Sequence, residues 1–192
     1  TEIEPITGEF DTPIEAPADP EKEGYTFTGW YDDETLTNKY VFTTMPGVDI
    51  TVYAGWEANK YTIEYYSGEE KLELMPNEHV YGEETKLPTE IEGYTFTGWY
   101  LDKELTSEVQ TVIPATNMEN KVYYTNKTVG EYTITFEENG GSEVADITAV
   151  YQTAITEPEN PSKEGHTFEG WYTEETLENK YEFSVMPGSN IT

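Results

Sequence analysis

The chain has no cysteine among its 192 residues. Disulfide frameworks and thiolate metal sites are therefore excluded. Arginine is absent as well, so the bidentate clamp for phosphate or carboxylate substrates is missing. Ten lysines face 39 Asp and Glu residues, which leaves a net charge of −29. Nucleic acid binding requires a basic footprint that releases counterions, and that footprint is not here. Anionic membrane surfaces are repelled for the same reason. No run of 18 apolar residues occurs, so no helical membrane insertion is expected. Histidine is limited to His79 and His166, neither with a ligand or catalytic partner at suitable spacing. His79 reads as part of a divergent loop, and His166 as a tolerated surface substitution. Neither a Gly-rich phosphate loop nor a nucleophile elbow appears. No catalytic residue, cofactor site or metal site is assigned, and the reading is non-enzymatic. With no initiator Met and no signal peptide at Thr1, the chain reads as an internal or processed piece of something longer.

Aromatic residues, by contrast, are plentiful: 16 Tyr, 7 Phe and 4 Trp. Disordered acidic segments are poor in aromatics, so this charge sits on folded material. One phrase occurs three times: Gly24-Tyr25-Thr26-Phe27-Thr28-Gly29-Trp30-Tyr31, Gly93-Tyr94-Thr95-Phe96-Thr97-Gly98-Trp99-Tyr100 and Gly165-His166-Thr167-Phe168-Glu169-Gly170-Trp171-Tyr172. The Trp-to-Trp steps are 69 and 72 residues. A period of that length suits small domains with their own cores better than a solenoid. The expected modules are residues 1–58, 59–128 and 129–192. Aligning the first on the third sets Thr1 against Ser142, so module 1 lacks the first strand. Module 3 stops opposite Thr51 and lacks most of the last strand. The missing strands would come from neighbouring repeats of a longer chain or from strand exchange between molecules.

Local patterns give about four strands and a short helix per module, an α+β class that is mostly β. Tyr132-Thr133-Ile134-Thr135-Phe136 alternates as a strand, and Glu138-Asn139-Gly140-Gly141 reads as a hairpin turn. Val144 to Ile155 is a second extended stretch. The shared phrase is a third strand, but strict alternation puts Phe27 and Trp30 on opposite faces. A bulge at Gly29, Gly98 and Gly170 would bring them to one face; otherwise the Trp covers the other face of the sheet. Leu36 and Tyr40, like Leu177 and Tyr181, stand four apart and suggest the short helix, with Asp32-Asp33-Glu34 and Glu174-Glu175 at its start. Ile50, Val52, Ala54 and Trp56 then alternate as the last strand.

Small modules must bury their largest rings. Phe27, Trp30, Tyr40, Phe42, Trp56, Phe96, Trp99, Phe168, Trp171, Tyr181 and Phe183 are therefore the expected structural core motif. Tyr31, Tyr53, Tyr65 and Tyr66 are the candidate binding surface, since an exposed Tyr can stack on a sugar or anchor a protein.

The shared phrase, the Leu-x-x-x-Tyr-x-Phe spacing and the Ile-Thr-Val-Tyr-Ala-x-Trp strand together resemble the Listeria–Bacteroides repeat family, which includes the B repeats of internalin B-type surface proteins. Three tandem copies cover nearly the whole chain, and the middle one matches well only in the phrase. The resemblance implies β-grasp-like modules of ubiquitin or SUMO type. It also implies an exported bacterial protein, at the cell surface or secreted, in which such repeats serve as stalk or protein-interaction surface. The alternative is an adhesin-type module that binds a host protein or glycan through exposed Tyr on the sheet edge.

Overall fold

The computed structural model describes residues 3–192, so the alignment of Thr1 on Ser142 lies outside the described residues. All regular structure among them is β. In chain order the strands are β1 (Tyr25–Tyr31), β2 (Tyr53–Ala58), β3 (Lys60–Ser67), β4 (Glu70–Leu72), β5 (Glu78–Val80), β6 (Thr85–Lys86), β7 (Tyr94–Phe96), β8 (Val112–Ile113), β9 (Lys121–Thr125), β10 (Lys127–Val129), β11 (Glu131–Ile134) and β12 (Ile147–Val150). They form small sheets: β1 with β2, β7 with β10, β11 with β12, β6 with β8, and β4-β3-β5 with β9 also on β3. Two compact units result. One holds the chain up to Tyr65 together with Lys71–Leu87 and Gln110–Tyr123; the other holds Tyr66–Glu70, Pro88–Val109 and Tyr124–Thr192.

In the first unit, β1 and β2 are antiparallel, with Phe27 opposite Trp56 and Gly29 opposite Gly55. Thr28 is the extra residue of a bulge, and Gly29 carries it at φ 131°. The inserted residue shifts parity, so the Phe27 and Trp30 rings meet edge to face at 5.4 Å. Trp30 does not cover the opposite face. The same pair of rings meets again in the other copies, Phe96 and Trp99 tilted at 5.3 Å and Phe168 and Trp171 edge to face at 5.1 Å. Gly98 and Gly170 have the matching positive φ, 106° and 143°.

The second unit is centred on Ile134, Phe136, Trp171 and Met186, with Tyr181, Phe183 and Ile191 packed around them. The β11–β12 hairpin feeds this core from one face, as its alternation requires. Asn139 and Gly140 take φ 52° and 82°, the pair of left-handed residues that a type I′ turn demands. Ile134 and Ile191 are bridged in parallel.

The expected short helix is absent, which corrects the α+β class to a β-rich one. Leu36, Leu105 and Leu177 sit at φ 55°, 57° and 56°, a conformation no α-helix contains. Leu36 and Leu177 are exposed rather than packed. The Leu-x-x-x-Tyr spacing fits a helix, but the acidic side chain at the start of the segment competes for the amides a helix would need.

Tyr65 and Tyr123 are 1% and 2% exposed, with stacked rings 6.1 Å apart. Burial pushes the Tyr123 phenol up to about 12 and raises that of Tyr65 further, Tyr123 adding to the effect. A folded-state value above the unfolded one near 10 means stability that is full below about pH 10 and lost as pH rises through about 12. Alkaline titration followed together at 295 nm and by far-UV dichroism should therefore show the last phenolates appearing only as structure is lost. Ionisation of every Tyr near pH 10 with the fold intact would contradict this.

Candidate functional site: the aromatic joints

In the first two copies the first glycine of the phrase lies where one copy meets the next. Gly24 is buried at φ 76°, and a Cβ placed on it would lie 2.2 Å from the Tyr81 ring. Gly93 is buried at the same φ, and its Cβ would lie 2.1 Å from the Tyr151 ring. Only a residue without a side chain lets a ring approach so closely. Each ring also meets the Tyr that follows the glycine edge to face: Tyr25 with Tyr81 at 5.5 Å and 81°, Tyr94 with Tyr151 at 5.8 Å and 77°. An ammonium group lies against each of those tyrosines, Lys22 at 3.9 Å from the Tyr25 ring centre and Lys127 at 4.1 Å from that of Tyr94.

The backbone closes the joint in the same way twice. Asn59 N–H donates to Gly24 C=O, and Tyr81 N–H donates to Asn59 C=O, both at 2.9 Å. Gly130 N–H donates to Gly93 C=O at 2.8 Å, and Tyr151 N–H donates to Gly130 C=O at 2.9 Å. The ring-bearing segment is held in turn by a proline turn of its own copy: Gly82 N–H donates to Ala115 C=O of Ile113-Pro114-Ala115 at 2.8 Å, and Gln152 N–H to Met186 C=O of Met186-Pro187-Gly188 at 2.9 Å. The first copy repeats this local arrangement, with Asp11 N–H donating to Met45 C=O at 3.0 Å. There the ring-bearing residue is Phe10, which is 73% exposed. At the third copy the glycine side stands open: Gly165 keeps φ 71°, nothing lies within 4 Å of where its Cβ would be, and His166 is exposed.

A second repeated device replaces the expected helix. Asp33 accepts from the N–H groups of Thr37 and Asn38 and from the hydroxyls of Thr35 and Thr37. Asp102 accepts from Thr106 N–H at 2.9 Å and Ser107 N–H at 2.7 Å. Glu174 does the same for Glu178 and Asn179 N–H. These bonds favour the charged form and hold all three carboxyls below the ordinary carboxylate range, led by the Thr35 hydroxyl at Asp33, the Ser107 hydroxyl at Asp102 and the Thr173 hydroxyl at Glu174. The carboxylates serve the loops' own amides. Among the described residues no group of three or more His, Asp or Glu is arranged to hold a metal ion.

The residues expected as core motif are placed as follows. Trp99 and Trp171 are buried, while Phe27, Trp30, Tyr40, Phe42, Trp56, Phe96, Phe168, Tyr181 and Phe183 are half-buried. Trp99 Nε1 donates to Pro88 C=O at 2.7 Å. Of the candidate binding surface, Tyr31, Tyr53 and Tyr66 are half-buried. Tyr65 is no surface residue: it shares the inward parity of β3 with Ile63, and its hydroxyl donates to Pro76 C=O at 2.8 Å. His79, expected in a loop, is fully buried in β5 with Nδ1 2.9 Å from the Thr85 hydroxyl. Tyr81 and Tyr151 were not singled out from the sequence. Their signal is an aromatic ahead of a residue at positive φ, recurring 70 positions on.

The chain matches the Listeria–Bacteroides repeat domain over residues 4–55, 61–125 and 132–192, and it belongs to that family. It is 40% identical over 187 residues to a protein of Evansella cellulosilytica described by name alone as a membrane protein, covering 96% of this chain and 28% of that one. A second protein of that organism, described by name alone as a Gly-rich membrane protein, is 38% identical over 95% of this chain and 21% of its own length. Internalin H of Listeria monocytogenes is 46% identical over 90 residues, 45% of this chain and 16% of that protein. The chain thus spans less than a third of each of these relatives. No solved structure matches it.

Two outcomes are expected. Gly93→Ala should cost about 2–4 kcal/mol, a left-handed Ala plus a displaced ring, whereas Gly165→Ala, at nearly the same φ in open space, should cost only about 1–2 kcal/mol. Equal costs in denaturant unfolding would contradict the joint. For the acid loops, a folded-state pKa below the unfolded one gives stability present above about pH 4 and lost as pH falls below it. Asp102→Asn should therefore lower the denaturant midpoint at pH 7, and the gap to the parent should close progressively below about pH 4. A gap independent of pH would show that the charge plays no part.

Proposed function

We propose that the chain is a non-enzymatic spacer segment of a bacterial cell-surface protein, in which joined repeats hold other parts of a larger protein away from the cell. The observation that carries this reading is the joint made twice with one geometry: the same φ at Gly24 and Gly93, and the same edge-to-face ring pair within 0.3 Å. A linker held by two hydrogen bonds and a seated ring resists swivelling where a Gly/Ser linker would not. The charge of −29 adds mutual repulsion along the array. The names of the relatives, two membrane proteins and an internalin, support a place at the surface.

Each copy is best read as a small module in a β-grasp-like arrangement. The parallel bridge from Ile134 to Ile191 favours that reading, although its helix is missing among the described residues. The adhesin alternative draws no comparable support, since Tyr65 is buried and Tyr31, Tyr53 and Tyr66 are half-buried.

Small-angle scattering tests the spacer reading. The intact chain should give an elongated, concentration-independent profile, and Tyr81→Ala combined with Tyr151→Ala should broaden the distance distribution toward flexible forms. A compact particle, or a variant with an unchanged profile, would overturn it.

A further inference from the structure

The last strand of one copy runs into the first strand of the next with a single residue between them, Asn59 after β2 and Gly130 after β10. Tension along the chain therefore passes from strand to strand with no loop to take up slack. In the middle copy the first strand, β3, pairs with the last, β9. Their contacts advance together along both strands. Thr62 N–H donates to Asn120 Oδ1 at 2.9 Å, just ahead of β9. The rings of Tyr65 and Tyr123 stack at 6.1 Å, and those of Tyr66 and Tyr124 follow at 5.9 Å. Lys127 N–H then donates to Ser67 Oγ at 3.3 Å. β3 and β9 thus run parallel. The third copy repeats the device: Thr133 N–H donates to Asn190 Oδ1 at 2.9 Å, and Ile134 and Ile191 are bridged in parallel. There Thr135 N–H donates to Ile191 C=O at 2.9 Å, and Ile191 N–H to Thr133 C=O at 3.2 Å.

We propose that the β3–β9 pair is a shear clamp, and that the array transmits a pulling force as well as setting a distance. The chain enters the middle copy at Lys60 and leaves it after Thr125, which in a parallel pair are opposite ends. Tension then slides the two strands lengthwise past one another, and every bond across the pair is stretched at once. A pair pulled from one end opens bond by bond, and each bond alone contributes little. Side chains oppose the slide as well. Tyr65 and Tyr123 are buried, and the Tyr65 hydroxyl donates to Pro76 C=O at 2.8 Å, so neither strand moves without dragging a ring through a filled core. β3 is further anchored by its pairing with β4 and β5. The proposal rests on the spacer reading and goes beyond it. A spacer under no load needs only length, and any placement of its entry and exit strands would serve.

Single-molecule stretching of the intact chain tests the clamp. There is no native cysteine, so paired substitutions alone set the direction of pull. Lys60→Cys with Asn126→Cys loads β3 and β9 from opposite ends. Lys60→Cys with Glu119→Cys loads the same two strands from the same end. All three positions are exposed, and the Lys60–Glu78 ion pair is lost equally from both chains, so their denaturant midpoints should agree. At one pulling speed the first chain should rupture at about twice the force of the second or more, because forced unfolding follows the barrier along the loaded path. Forces that do not differ with direction, or a higher force from the same end, would overturn the proposal. Equal forces beside an elongated scattering profile would end the clamp and leave the spacer standing.

Discussion

A tyrosine ring lying against a bare Cα is the constraint on which the arrangement depends. Every other element of the joint follows from it. The glycine must lack a side chain for the ring to approach, and its φ of 76° turns the following Tyr edge-on to the incoming ring. Aromatic pairs in that orientation contribute about 0.5–1.5 kcal/mol beyond their buried area. With the ring seated, the linker residues Asn59 and Gly130 each use both their N–H and their C=O. A chain built this way joins its copies through packing and backbone bonds, with few ion pairs. That suits a protein with ten cations to balance 39 acids.

The same economy governs the charge. Surface carboxylates seldom add stability as ion pairs, because salt and side-chain entropy cancel most of the gain. Asp33, Asp102 and Glu174 act differently: each satisfies the amides of its own loop. An acid-rich sequence thus uses negative charge where the backbone supplies donors, and the loops close on their own carboxylates in place of a helix. The two glycines of the phrase divide the remaining work. One receives the ring of the next copy, and the other carries the bulge that puts Phe and Trp on one face.

Much of this was legible from residue spacing, and the failures have identifiable causes. The bulge followed from a parity conflict between Phe27 and Trp30 that no regular strand resolves. The Asn139-Gly140 turn followed from the left-handed tolerance of those two residues. The short helix was misread because Leu and Tyr four apart fit both a helical face and a loop in which Leu takes positive φ. The acidic residue at the loop's start, free to bind its amides, was the feature that separates them. Tyr65 taken alone fits a surface tyrosine, but Ile63, two residues earlier on the same strand, fixes its parity inward. The joint was missed because its rings, Tyr81 and Tyr151, lie outside the shared phrase in a stretch where the copies diverge. A glycine shows that something approaches closely; it does not say what.

The most direct measurement compares the Hα resonances of three glycines in the unmodified chain. Protons held under the face of an aromatic ring move upfield. The account predicts that Gly24 and Gly93 are shifted well upfield of Gly165, which has the same backbone conformation and no ring above it. Three glycines resonating together at ordinary values would mean that no ring is seated, and the joint would not exist.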